Sequence, residues 1–152
     1  MSDAAGFRCR KDAIEYVVLS GDLGNPGLDA HDQVSMPSGS RPEQLVWVRK
    51  EIREILERER PSAVAFKGIE GQAQKKDPGR AEVEGVLQEA CQSAGVPPVK
   101  RLKKQIKKDI GHEGSAKYVS TSIPEKLRGA IPRSRDDAML AALAALASLQ
   151  HG

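Results

Sequence analysis

The stretch SAVAFKGIEG, Ser62–Gly71, contains an apolar run that ends on a charged residue. Ala63–Phe66 is predicted to be a buried strand, because a short apolar run bounded by turn residues is typical of strands covered on both faces. Lys67 stands at the C-terminal end of this strand, directly before a glycine. Ligands of open α/β sheets gather at that end of the strands. Lys67 is therefore the first candidate for a functional residue.

Helical patterns flank this strand on both sides. The upstream helix is predicted over RPEQLVWVRKEIREILERERP, which has an apolar stripe at helical spacing and Pro42 in its first turn. The downstream helix is predicted over GRAEVEGVLQEACQSAG, and a further strand over VPPVKRL. The last helix is predicted over DDAMLAALAALASLQ, which is apolar on nearly every face and is therefore expected to be buried on most sides.

Two more strands are predicted before the first helix. They are AAGFRCR (Ala4–Arg10) and AIEYVVLSG (Ala13–Gly21), and the short turn between them indicates a hairpin. Segment 22–41 is rich in Gly, Pro, Ser and Asp, so it is expected to be mostly loop with a short edge strand at Asp32–Met36. The predicted order, β-β-β-α-β-α-β-α, is that of an α/β protein with a mixed sheet flanked by helices.

Composition limits the classes of function. The chain has 152 residues and is predicted to form a single domain over 1–152, with the loop-rich segment at 22–41. Its net charge of +3 is too small to indicate nucleic-acid binding by itself. No apolar run is long enough for a membrane span or a signal peptide, so no membrane partner is expected and a cytoplasmic location is predicted. Cys9 and Cys91 are expected to be reduced packing residues.

Basic residues cluster after the last predicted strand. The cluster consists of Lys100, Arg101, Lys103, Lys104, Lys107 and Lys108. Lysines repeated at i and i+4 share one face of a helix, and such a face suits the phosphates of nucleic acid. The alternative is an ordinary solvated lysine face. The loop residues Lys75, Lys76 and Arg80 would extend the cluster.

Five segments follow one another in an order known from one nuclease family. They are GFRCRKDAIEYVVL, SAVAFKG, AEVEGVLQEACQSAG, VPPVKRLKKQIKKDIGHEGSAKYV and SRDDAMLAALAAL. Because these segments occur in the same order along the chain, the sequence resembles the ribonuclease H-like superfamily, and more closely its RuvC-like resolvase branch. It is also similar to a small RuvC-like group with a lysine at the end of the fourth strand. The resemblance implies a ribonuclease H-like mixed sheet and a homodimer.

The resemblance also implies a metal site, and this sequence departs from it. Carboxylates from the first strand, the fourth strand and the last helix hold two divalent ions in the family, because hard Mg²⁺ or Mn²⁺ prefers oxygen ligands. Here Arg8, or the neighbouring Cys9, stands in the first position and Lys67 in the second, so only Asp136 and Asp137 remain. The match therefore implies a degenerate site in which these cations form ion pairs with an aspartate and no metal cofactor is bound.

Three functions are compatible with these residues. The preferred hypothesis is a pseudonuclease that binds nucleic acid, DNA rather than RNA, through the lysine-rich face. An active nuclease dependent on Mg or Mn would instead need catalytic carboxylates from Glu70, Asp136, Asp137 and Asp12. The simpler role is a solvated loop charge for Glu70, helix capping for Asp136 and Asp137, and a turn residue for Asp12. A protein-interaction or homodimer module would use Trp47.

Histidine offers no metal site in this sequence. His31, His112 and His151 are far apart and lack the spacing of metal ligands. A solvated loop position is the expectation for His112.

Overall fold

The strands form one mixed sheet of five. In the computed structural model, which describes residues 3–71 and 76–151, the strands are β1 (Ala4–Arg10), β2 (Ala13–Asp22), β3 (Asn25–Ser35), β4 (Ala63–Lys67) and β5 (Pro98–Arg101). Their order across the sheet is β3-β2-β1-β4-β5. The first three strands pair antiparallel, whereas β4 is parallel to both β1 and β5. The predicted mixed sheet is confirmed.

The helices follow the predicted order, with short additions near the C-terminal end. They are α1 (Arg41–Glu59), α2 (Pro78–Ser93), α3 (Lys103–Ile110), α4 (Glu125–Arg128) and α5 (Asp136–His151). Two 3₁₀ segments, Ala116–Ser122 and Arg133–Arg135, connect the last three helices. The prolines at 124 and 132 precede α4 and the second 3₁₀ segment, where a missing backbone N–H costs least.

The sheet separates two apolar clusters. On one face, Val17 and Ala65 pack against α5, whose residues 138–147 are all buried. On the other face, Phe7 and Phe66 pack against α1 and α2. The expectation that the terminal helix is buried on most sides is confirmed. Within the described ranges, no helix has both the length and the apolar character needed to cross a lipid bilayer.

At Gly6 of β1, the backbone of α5 lies very close to the sheet. A Cβ atom at this position would lie 2.1 Å from the backbone N of Ala142 and 2.2 Å from the carbonyl O of Ala138. Such separations are far below a van der Waals contact, so only glycine fits here. The small side chains of α5 and this glycine together let the helix lie directly on β1.

Segment 22–41 differs from its prediction. It was expected to be mostly loop with a short strand at Asp32–Met36, but β3 spans Asn25–Ser35 and pairs with β2 over nearly its whole length. The turn before it is closed by the Asp22 carboxylate, which accepts a 2.9 Å hydrogen bond from the backbone N–H of Asn25. The Gly, Pro and Asp residues that suggested a loop are tolerated because β3 is an edge strand.

Candidate functional site

The candidate site lies where β1 and β4 end. These strands are parallel neighbours with Phe7 paired to Phe66, so the following residues, Arg8 and Lys67, lie side by side at one end of the sheet. The first turn of α5 contains Asp137 and begins at the same end. Three residues singled out in the sequence are therefore brought to one edge by three separate elements.

Arg8 bridges two carboxylates. Its Nη1 lies 3.3 Å from Glu15 Oε1, and its Nε lies 3.3 Å from Asp137 Oδ2. The Arg8 side chain is only 20% exposed, so these contacts are partly shielded from solvent. The guanidinium thus occupies the space between the two acids and pairs with both.

Glu15 is the residue that the sequence reasoning missed. Its side chain is fully buried in β2, and Oε1 accepts a 2.6 Å hydrogen bond from Arg10 Nε. The Nη1 of Arg135 lies 3.9 Å from Oε2, which has no hydrogen-bond partner among the described residues. A buried carboxylate is tolerated only with such cationic neighbours. The signal was present in the sequence, because Glu15 lies on the same strand face as the buried Val17.

Lys67 is paired with Glu70. Its Nζ lies 2.7 Å from Glu70 Oε2 and donates a 3.0 Å hydrogen bond to the carbonyl of Gly68. The same Glu70 oxygen accepts a 3.1 Å hydrogen bond from the backbone N–H of Lys103, at the start of α3. Burial raises the pKa of Glu70, but these hydrogen bonds and the nearby lysine charges outweigh it and lower the pKa overall. Glu70 is therefore an exposed loop acid, as expected, that also connects the end of β4 to the start of α3.

A buried ion pair of α2 contacts the backbone of Lys67. Arg80 Nε is 3.1 Å from Glu84 Oε2 within α2, and Arg80 Nη2 donates a 2.9 Å hydrogen bond to the Lys67 carbonyl. Burial raises the pKa of Glu84, opposed by the charge of Arg80. Burial and the charge of Glu84 also raise the pKa of the Cys9 thiol. Arg80 is thus engaged in holding α2 to the end of β4.

The two aspartates at the start of α5 point to different partners. Asp137 pairs with Arg8, whereas Asp136 pairs with Arg128 of α4. Among the described residues, Lys67 forms its ion pair with Glu70 and with neither aspartate. The predicted cluster of Arg8, Lys67 and an aspartate is therefore divided into two separate pairings, because the loop after β4 supplies an acid of its own.

The basic cluster is distributed over β5 and α3. Ile106 is fully buried and anchors α3, which leaves Lys104 and Lys108 exposed and their neighbours Lys103 and Lys107 partly buried. Lys100 is exposed on β5. Arg101 is not free, because its Nε lies 3.0 Å from Asp109 Oδ2. Lys75 lies outside the described residues.

The described residues contain no group of three or more His, Cys, Asp or Glu side chains arranged to hold a metal ion. His112 is held by Ser122, with 2.5 Å between Nδ1 and Oγ, and by the carbonyl of Ser115. The side chain of His151 lies outside the described residues. Asp12 is exposed in the turn between β1 and β2, as its simpler role predicted.

Comparison with solved structures identifies the architecture. The structure of Thermus thermophilus RuvC superposes with a TM-score of 0.81 and 23% sequence identity, covering 97% of this chain and 95% of that one. The chain has a ribonuclease H-like fold. T. thermophilus RuvC in complex with a Holliday junction substrate superposes with a TM-score of 0.77 and 21% identity, over 97% and 94% of the two chains.

A more distant neighbour has the same ribonuclease H-like fold. The yeast mitochondrial Holliday junction resolvase Ydc2 superposes with a TM-score of 0.58 and 9% identity, over 99% of this chain and 82% of that one. A scan against protein-family models found no match, and a search of curated proteins found no relative.

The site does not fit the divalent metal that the RuvC-like resemblance implies. A metal pair needs several carboxylate oxygens that are free to converge. Here the Arg8 guanidinium lies between Glu15 and Asp137, and the Lys67 ammonium is paired with Glu70. These cations would repel a divalent ion and compete for its ligands.

Proposed function

We propose that this chain is a RuvC-like pseudonuclease that binds nucleic acid, DNA in preference to RNA, without metal-dependent cleavage. The single observation behind this proposal is the position of Arg8, whose guanidinium contacts the carboxylates of both Glu15 and Asp137. Its side chain is only 20% exposed, and its planar guanidinium reaches both acids at once. The carboxylates of the site are therefore paired with cations, and their oxygens are not free to hold the two metal ions that catalysis requires.

The basic residues of β5 and α3 supply the binding surface in this proposal. Lys104 and Lys108 are exposed one helical turn apart, and Lys100 is exposed on the neighbouring strand. Ammonium groups placed in this way neutralise backbone phosphates without reading bases. Among the described residues, Tyr118 is the only exposed aromatic one close in sequence, so base stacking is not part of the proposal.

DNA is the preferred ligand because a structural neighbour, T. thermophilus RuvC, is described in complex with a Holliday junction substrate. Branched DNA is therefore the first shape to test. The cytoplasmic location remains a prediction.

One assay tests binding and cleavage together. Fluorescence anisotropy would follow the protein with single-stranded, duplex and four-way-junction DNA, and with matching RNA, over a salt series. A denaturing gel of the same samples with Mn²⁺ would detect cleavage. We expect no cleavage. We also expect binding to weaken with salt, because each neutralised phosphate of duplex DNA contributes about −0.9 to the slope of log K against log salt.

Charge reversal locates the binding surface. Lys104→Glu/Lys108→Glu should abolish binding, whereas the control Lys50→Glu/Arg53→Glu changes two exposed cations on the outer surface of α1 and should not. Unchanged binding by the α3 variant would exclude the lysine-rich face as the interface.

Cleavage would overturn the proposal. Metal-dependent cutting that is lost in Asp136→Asn or Asp137→Asn would identify an active nuclease that uses other carboxylates.

A further inference from the structure

A cleft of about 590 Å³ lies between the β1–β2 turn and the start of α2. Its walls contain five cationic side chains and two carboxylates. The cations are Arg8, Arg10, Lys11, Lys76 and Arg80, and the carboxylates are Asp12 and Asp77. The excess of positive charge in a concave space favours an anion.

Two of these cations are available to a ligand. Lys11 and Lys76 are both exposed, and neither forms an ion pair with another described residue. The arginines are already engaged, since Arg8 and Arg10 bind Glu15 and Arg80 binds Glu84. Their charges are largely offset by these carboxylates, so the two lysines are the groups that can donate hydrogen bonds to a ligand.

The first turn of α2 does not supply the site. Asp77 caps this helix, with its Oδ1 accepting a 3.0 Å hydrogen bond from the backbone N–H of Arg80. The helix terminus therefore already has an anion, and a ligand would have to be held by side chains.

The two walls are held together by Arg41. Its Nη1 donates a 2.8 Å hydrogen bond to the carbonyl of Lys11, and its Nη2 donates one of 2.8 Å to the carbonyl of Gly79. Its Nε also lies 2.8 Å from Glu82 Oε1. Gly79 approaches the turn so closely that a Cβ atom there would lie 2.9 Å from the Cβ of Lys11. The cleft is thus a preformed cavity, because three hydrogen bonds set the separation of its walls.

We propose that this cleft binds one backbone phosphate of the nucleic acid between Lys11 and Lys76, as a contact separate from α3. The inference rests on the function proposed above and extends it. The cleft and the start of α3 lie at the same edge of the sheet, where β1 and β5 are separated only by β4. Adjacent strands are about 4.8 Å apart, so the contacts span the edge over roughly 10 Å or more. A single nucleic-acid strand would cross this edge and meet both.

Salt dependence tests the cleft separately from α3. Lys11→Ala/Lys76→Ala should weaken binding to a duplex and lower the magnitude of the salt slope by about 1, the value for one phosphate contact. Lys104→Ala/Lys108→Ala should lower it independently, and the two losses should add in the quadruple variant. The control Lys50→Ala/Arg53→Ala should leave the slope unchanged. All six positions are exposed or lie at a turn or on a helix surface, so the variants should fold.

Two results would overturn this inference without affecting the proposed function. In the first, Lys11→Ala/Lys76→Ala has the salt slope of the wild type, whereas Lys104→Ala/Lys108→Ala lowers the magnitude of that slope. The second is a site for free phosphate alone, in which inorganic phosphate or a 5′-mononucleotide shifts the Lys11 and Gly79 amide resonances but saturating DNA neither shifts them nor displaces that ligand. If the wild type binds no nucleic acid at all, both proposals are wrong.

Discussion

The Nζ of Lys67 lies 2.7 Å from the Oε2 of Glu70, and the lysine side chain is only 3% exposed whereas the glutamate is 44% exposed. A buried ammonium with one carboxylate and one carbonyl as acceptors depends on both, because burying an unpaired charge is costly. The same glutamate accepts the backbone N–H of Lys103, so this pair connects the end of β4 to the start of α3. Glu70, three residues later in the chain, therefore accounts for a buried lysine at the end of this strand.

Glu70→Gln should destabilise the protein. The substitution removes the negative charge opposite a buried amine but keeps an amide oxygen that can accept, and the carboxylate is 44% exposed, so the expected cost is about 1 kcal/mol. Chemical denaturation at pH 7 would measure the loss in the free energy of unfolding. Glu57→Gln, at an exposed position on α1, is the control and should be neutral. Equal stability of the two variants would mean that the Lys67–Glu70 pair contributes nothing.

The Glu70 contribution should depend on pH. Burial raises the pKa of Glu70, but the Lys67 and Lys103 hydrogen bonds outweigh it, so the folded-state pKa is below its ordinary value. A lowered carboxyl pKa gives stability that is present above the unfolded pKa of about 4.3 and is lost as the pH falls through the folded value. The difference in unfolding free energy between wild type and Glu70→Gln should therefore shrink on acidification below that range. A difference independent of pH would contradict the ion pair.

Arg8→Asp/Lys67→Glu should create affinity for Mn²⁺. The two changes remove two cations and add two carboxylates near Glu15 and Asp137, which Arg8 now bridges. A ligand at 100 times its Kd stabilises the folded state by about 2.7 kcal/mol, so Mn²⁺ should raise the Tm of this variant. Thermal unfolding with and without Mn²⁺ would measure the effect.

Arg8→Gln/Lys67→Gln is the matched control for the metal experiment. It removes the same two cations without adding carboxylates, so Mn²⁺ should leave its Tm unchanged. A folded double-acid variant that also ignores Mn²⁺ would contradict the assignment of these positions to the metal ligands of the resemblance.

Gly6→Ala should be among the most destabilising single changes. Its added methyl would overlap the backbone of α5 at Ala138 and Ala142, and overpacking of a core typically costs about 1–3 kcal/mol, occasionally more. Gly85→Ala is the control, since a Cβ there meets nothing within 4 Å and lies within α2. That change should stabilise the protein by about 0.4–1 kcal/mol. The reverse order of Tm values would show that α5 does not lie on β1 as described.

Both thiols should be unreactive in the native protein. Cys9 and Cys91 are free and buried, and burial raises the pKa of Cys91 to about 12, so neither forms a thiolate near neutral pH. Iodoacetamide at pH 8 followed by intact-mass measurement should find no label on the folded chain and two labels after denaturation. Rapid single labelling of the native protein would show that one thiol is accessible.

The homodimer is tested at α1. Trp47 packs partly against the core, and its neighbour Val46 is 70% exposed. If this surface joins two copies, Trp47→Ala and Val46→Glu should each convert a dimer into a monomer in light scattering after size exclusion. Val46→Glu keeps the packing of Trp47, so it separates loss of the interface from loss of the fold. A monomeric wild type would show that the prediction is wrong.

Helices α1, α2 and α5 and strands β1, β2 and β4 could be predicted from the sequence because their apolar residues repeat at the period of the element. Only the C-terminal part of β3 was predicted, as the short strand at Asp32–Met36, because the Gly, Pro and Asp residues before it obscure the alternation and its pairing with β2 is not visible in the sequence. The basic cluster was visible as a run of lysines. The sequence did not show that Arg101 is bound to Asp109 and is therefore not available to a ligand.

By itself, the sequence determined the order of the main helices and strands and predicted a mixed sheet, because these follow from local periodicity. The resemblance to RuvC-like proteins implied that Arg8 and Lys67 stand at positions of one site. Only the tertiary structure decided which acid each cation meets. Arg8 joins Glu15 of β2 to Asp137 of α5, residues that are far apart in the chain, and Lys67 joins a nearby loop acid. Such choices depend on distances of a few ångströms and on burial, which are set by packing between elements.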